Sequence, residues 1–86
     1  MQLPYIHING TSAEGLVYQY LGAYHAVQDA LDMLRMIETH GRDYYTVSSD
    51  AITVAVAEHR ERMAKLESVK ADLAALAEHC HKSMKG

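Results

Sequence analysis

Thr39-His40-Gly41-Arg42-Asp43-Tyr44-Tyr45-Thr46-Val47-Ser48-Ser49 is the stretch on which the fold turns. It mixes glycine, charge and aromatic rings between two long segments with helical periodicity. Gly41 can take the left-handed conformation that ends a helix, and His40 stands where a cation favours a helix C-terminus. Ser48, Ser49 and Asp50 are all N-cap residue types. Residues 40–49 therefore read as the connection of a helical hairpin. Tyr44 to Val47 has high strand propensity, so part of this loop is expected to be extended.

Upstream, Thr11-Ser12-Ala13-Glu14 has the form of a capping box, with the Thr11 hydroxyl and the Glu14 carboxylate each accepting a backbone N–H of the other residue. A helix is predicted over residues 12–39. Its seam is Val17, Tyr20, Tyr24, Val27, Leu31 and Leu34, alternating by three and four as in a heptad. Leu16, Leu21 and Ile37 widen the apolar stripe beyond a two-helix seam. Gly15 and Gly22 fall inside this helix at about 1 kcal/mol each relative to alanine, through simple tolerance or through close approach of another backbone or a ligand.

Downstream, a second helix is predicted over residues 50–82. Its stripe is Ile52, Val56, His59, Met63, Leu66, Val69, Leu73, Leu76 and Cys80, with a one-residue slip at Val69. The opposite face is charged, as a solvated helix face usually is, and Glu61–Lys65 has favourable i,i+4 spacing. Residues 79–86 read as a fraying, mildly basic tail. Residues 1–10 carry Leu3, Tyr5, Ile6 and Ile8 around Pro4, followed by Asn9-Gly10, and read as a short extended arm. Pro4 limits that arm to an edge or a strand start. Its partner is either its own helix or the Tyr44–Val47 stretch of the loop, within the chain or in another subunit.

The fold class expected is all-α: one domain over residues 1–86, an antiparallel hairpin of two long helices with an extended arm and a partly extended loop. Two helices cannot enclose a core, yet 49% of the residues are hydrophobic. Self-association into a helical bundle is the economical solution.

Net charge is −3, from 8 Lys+Arg against 11 Asp+Glu, with no basic stripe, so binding to a nucleic-acid polymer has little support. The single Cys80 excludes an intrachain disulfide and suits a reducing compartment. No secretory leader and no membrane span are expected. His79-Cys80-His81 is the tightest cluster of metal-ligand types, but neighbours on a helix diverge by about 100°. No metal site and no cofactor are expected. Hydrolase and phosphate-loop motifs are missing, so the chain is not expected to be an enzyme.

Three places carry candidate chemistry. In the loop, Arg42 offers a planar fork for phosphate or carboxylate, and Tyr44 and Tyr45 offer rings for stacking a base. The bland alternative is that Arg42 pairs with Asp43 and the tyrosines bury at a subunit interface. On helix 2, His59 interrupts the apolar stripe. It is either a seam histidine satisfied by a carbonyl or hydroxyl across the bundle, or part of a polar notch with Arg62 and Glu58. Tyr20 and Tyr24 pose the same choice between core and ligand clamp. His7, in the arm, adds a further hydrogen-bonding group.

Ile6-His7-Ile8-Asn9-Gly10-Thr11-Ser12, Gly41-Arg42-Asp43-Tyr44-Tyr45, and Glu58-His59 with Arg62 together resemble a group of small helical proteins encoded by tailed phages and prophages. The likeness covers most of the chain through short motifs. His40 departs from it, asparagine being commoner before that Gly-Arg-Asp-Tyr-Tyr run. The resemblance implies a phage origin and a role in the host cytoplasm. By analogy of class, small oligomeric phage proteins often antagonise host defence, some by sequestering nucleotide signals between subunits. The expected function is thus a non-catalytic, homo-oligomeric binding protein for a small anionic nucleotide, held by Arg42, Arg62, Tyr44, Tyr45, His7 and His59. The alternative is a helical module that docks on a host defence protein or another protein.

Overall fold

The computed structural model describes residues 1–7, 10–37 and 50–84. These comprise two helices, α1 (Ala13–Arg35) and α2 (Ala51–Ser83), and no strand among the described residues. The helices pack against each other. Leu34 meets His59 near one end of the pair and Gln28 meets Lys70 further along, so the two run antiparallel.

The N-cap of α1 is Ser12, not Thr11. Its Oγ accepts the Gly15 N–H at 3.0 Å, one of the four orphan donors of a first turn. A Cβ at Gly15 would stand 3.1 Å from that oxygen and 3.3 Å from Thr11 Cγ2, so the cap itself makes glycine fitting there. Gly22 has open space around it, and no neighbour within the chain requires it. Helix α1 stops at Arg35, with Met36 as C-cap, earlier than the periodicity suggested. Ile37 N–H still bonds the Leu34 carbonyl at 3.1 Å.

The α1 seam, Val17, Tyr20, Tyr24, Val27, Leu31 and Leu34, is half-buried or buried throughout. On α2 the seam differs from the apolar stripe at two places. Val69 is 44% exposed, and Lys70 is half-buried in its stead. Ala77 is buried where Leu76 is only half so. The resulting row, Ile52, Val56, His59, Met63, Leu66, Lys70, Leu73, Ala77 and Cys80, alternates by four and three without a slip. Only Leu31, Ala77 and Cys80 are buried among the described residues. Cys80 is fully buried while His81 to Met84 are exposed, so α2 is packed as far as Cys80, and residues 85–86 of the expected tail lie outside the described residues.

Lys70 is held in the seam by a closed circuit of side chains. Its ammonium donates to Gln28 Oε1 at 2.7 Å, lies 5.8 Å from the Tyr24 ring centre and 3.4 Å from Glu67 Oε2. Glu67 Oε1 accepts from Arg35 at 3.0 Å. Arg35 and Gln28 both donate to Asp32 Oδ1, at 3.3 and 2.9 Å. A polar group at a heptad core position specifies register at some loss of stability.

The arm crosses the far end of α2. His79 Nε2 donates to the Pro4 carbonyl at 2.9 Å, and Gln2 to Ile6 border His79 and Ser83. The arm thus docks within its own chain; pairing with residues 44–47 lies outside the described residues. No helix among the described residues is long and apolar enough to cross a membrane.

Ser12→Ala is expected to lower unfolding free energy by about 1 kcal/mol, while Thr11→Ala leaves it nearly unchanged. Urea titration followed by circular dichroism distinguishes them, and the reverse order would restore Thr11 as the cap. Lys70→Met is expected to raise the same midpoint by the equivalent of about 1 kcal/mol, because Lys70 serves register more than stability.

Candidate functional site

The six residues singled out from the sequence fall into three groups. Arg42, Tyr44 and Tyr45 lie outside the described residues. His59 and Arg62 stand together on α2, and His7 sits in the arm at the opposite end of the hairpin. His59 and His79, which marks the arm, are separated by about 30 Å of helix. Within one chain, His7 does not share a site with His59 and Arg62.

His59 answers the choice posed by its sequence position in both ways. Its Nε2 lies 2.9 Å from the Leu34 carbonyl, and its Nδ1 lies 3.3 Å from Arg62 Nη1. A carbonyl can only accept and a guanidinium can only donate. The ring is therefore the Nε2–H tautomer, donating across the seam and accepting from Arg62. Leu34 is in the last turn of α1 and its carbonyl already accepts the Ile37 N–H, so His59 adds a second donor to it from the other helix. The same ring braces Arg62 from behind.

Arg62 and Lys65 border an open groove of about 630 Å³ whose other walls are Ala30, Met33, Leu34, Ile37 and Leu66. The floor is apolar, with two cations on one rim. Met33 and Ile37 are 64% and 56% exposed. The groove lies at the end of the hairpin from which the chain runs on, after Ile37, toward Arg42, Tyr44 and Tyr45.

His7 is exposed and stacks on Tyr5, ring centres 5.9 Å apart. Its carbonyl accepts the Gly10 N–H at 3.2 Å. A Cβ at Gly10 would come within 2.8 Å of the His7 ring, so glycine lets the imidazole lie close over the turn. Tyr20 and Tyr24 are half-buried in the seam, and Tyr24 also lines a groove. Tyr18 is 82% exposed.

His79, Cys80 and His81 diverge as helix geometry requires. His79 holds the arm, Cys80 is buried, and His81 lines a second groove of about 490 Å³ with Val17, Leu21, Tyr24, Ala74, Ala77 and Glu78. No group of three metal-ligand side chains converges among the described residues. Lys65 is the site residue that sequence alone did not single out. It looked like one charge of a solvated face, and only the turn-by-turn facing of α1 reveals the apolar floor beside it.

Long-range ¹H–¹⁵N correlation at alkaline pH is expected to give the Nε2–H pattern for His59. The Nδ1–H pattern would break the link from Leu34 to Arg62. His59→Leu is expected to lower unfolding free energy by about 1–2 kcal/mol.

Comparison with protein-family models, curated proteins and solved structures returns no match.

Proposed function

We propose that this chain is a non-catalytic binding protein for a small anionic ligand of the nucleotide class, held at the loop end of the hairpin. The observation that carries the proposal is the Arg62 guanidinium, braced by His59 at the rim of an apolar groove. Its size lies in the usual range for small-molecule sites. A planar base suits an apolar floor, and a phosphate suits a guanidinium held in one orientation. Lys65 adds positive potential on the same rim. Arg42, Tyr44 and Tyr45 follow Ile37 in sequence and are the residues we assign to phosphate contact and stacking.

One feature favours retention over turnover: the only thiol, Cys80, is fully buried and out of reach as a nucleophile. With the resemblance to phage proteins, the proposed setting is the cytoplasm of an infected bacterium, and the proposed effect is capture of a defence signal. A second reading, docking on a host protein, is favoured by the exposed Met33, Met36 and Ile37 around the same groove.

Native mass spectrometry of freshly purified protein is expected to show extra mass that is released as a nucleotide on denaturation. Calorimetric titration with cyclic and linear dinucleotides is expected to give binding that Arg62→Ala weakens about 10- to 100-fold with helicity unchanged. Absence of nucleotide binding, with stoichiometric recovery of a host protein, would replace this proposal with the second reading.

A further inference from the structure

The two broad faces of the hairpin are unlike. One carries the circuit of Lys70, Gln28, Asp32, Arg35 and Glu67 across its middle and is polar there. The other is built from rows that recur every seven residues. On α1 these are Leu16, Ala23 and Ala30, continued by Ile37 beyond the helix, with Gln19, Ala26 and Met33 beside them; none is charged. On α2 they are Ala55, Arg62, Val69 and Leu76, with Glu58, Lys65, Asp72 and His79. Ala23, Ala26, Ala30, Met33, Ile37 and Val69 are exposed along this face, and none of the other described residues covers its middle.

We propose that this second face is covered by a second copy of the chain, docked antiparallel about a two-fold axis that passes α2 between Ser68 and Val69. Charge order selects the arrangement. Lys65 and Asp72 are equidistant from that point, so rotation sets each against the other of the partner subunit, twice per dimer. On α1 the rotation brings Ala26 against Ala30 and Ala23 against Met33, small or flexible side chains that allow close approach. The alternative face-to-face dimer, with its axis along the helices, would lay the charged α2 rows on the uncharged α1 rows. Glu58, Arg62, Lys65 and Asp72 would then lose water without gaining partners. A two-fold contact must be self-complementary, and only the antiparallel one is.

The area is adequate. The shorter helix is about 35 Å long and the hairpin 21 Å wide, giving roughly 700 Å² per partner, near the size of a standard stable interface. The dimer is an all-antiparallel four-helix bundle, and its faces bury what two helices cannot.

The same rotation explains why His7 stands so far from Arg62. His79 and Ser83, on which the arm rests, belong to the α2 rows of this face. The partner's arm therefore arrives at the height of Val54 and Glu58, about one turn of α2 beyond Arg62. Each loop-end groove is then flanked, on the side of the loop, by the arm of the partner subunit. That last step rests on the function proposed above, while the dimer itself does not.

The test is sedimentation equilibrium of ligand-free protein. Wild type is expected to be a dimer, or a larger assembly of dimers. Lys65→Asp and Asp72→Lys should each weaken association by about tenfold or more, and the double exchange should restore it. Val69→Cys, close to the axis, should oxidise to a disulfide-linked dimer, with buried Cys80 of the wild type as control. A monomeric wild type, or a double exchange that fails to restore association without a Val69→Cys cross-link, overturns the arrangement. Nucleotide titration of the wild-type dimer separates the two proposals: an intact dimer without binding removes the ligand and keeps the interface.

Discussion

Two amphipathic helices laid side by side can slide by a turn and still cover most of each other's apolar stripe, so the register of this hairpin has to be set by something other than hydrophobicity. Two polar contacts set it. His59 must meet the Leu34 carbonyl, the one place where its Nε2–H finds an acceptor in the seam, and Lys70 must meet Gln28 beneath Tyr24 and Glu67. A slide of one turn would part Lys70 from Gln28 and His59 from the Leu34 carbonyl, breaking both hydrogen bonds across the seam. The exposed members of the circuit add little individually, since surface ion pairs are worth about 0–1 kcal/mol. Their value lies in excluding the wrong register. The groove beside Arg62 and the docking of the arm at His79 follow from that register.

Once it is fixed, the apolar side chains are distributed poorly for a single chain. Leu31 and Cys80 are fully enclosed, and the rest of the seam is half-covered. Burial at about 25 cal/mol per Å² then falls short for residues such as Met33, Ile37 and Val69, which face outward. The proposed antiparallel dimer would supply a third and a fourth helix and interior packing nearer native density. The unlike character of the two faces is what selects the face in that proposal: one is occupied by ion pairs, the other by alanines and a row of charges that complements its own inverse.

Much of this architecture was legible in the sequence, because spacing by three and four records which side of a helix faces a partner. All six α1 seam residues lie where that spacing put them. Lys70 was not legible. A lysine does not register as a seam residue, so the apolar pattern jumped to Val69 and produced an apparent slip where the heptad is continuous. Its long stem buries while its ammonium reaches Gln28, which needs the partner helix to be seen. Ser12 was masked by Thr11, an equally good cap one residue earlier, and what separates them is the fit of Gly15 beneath the hydroxyl. The hold of His79 on Pro4 joins opposite ends of the chain through a backbone carbonyl, a partner that carries no sequence identity at all.

The candidate site shows the same division. His59 and Arg62 could be paired on paper because three residues on a helix make neighbours. Whether their notch opens on water or on an apolar surface depends on α1, and the placement of Ala30, Met33 and Leu34 makes it a groove. The tautomer of His59 then carries the consequence through: the seam carbonyl fixes Nε2–H, Nδ1 is left to accept, and the guanidinium is held in one orientation before any ligand arrives. Preorganisation of this kind reduces the ordering that binding would otherwise require. The histidine that secures the register is the one that aims the arginine, so the hairpin's register and the proposed recognition element depend on a single imidazole.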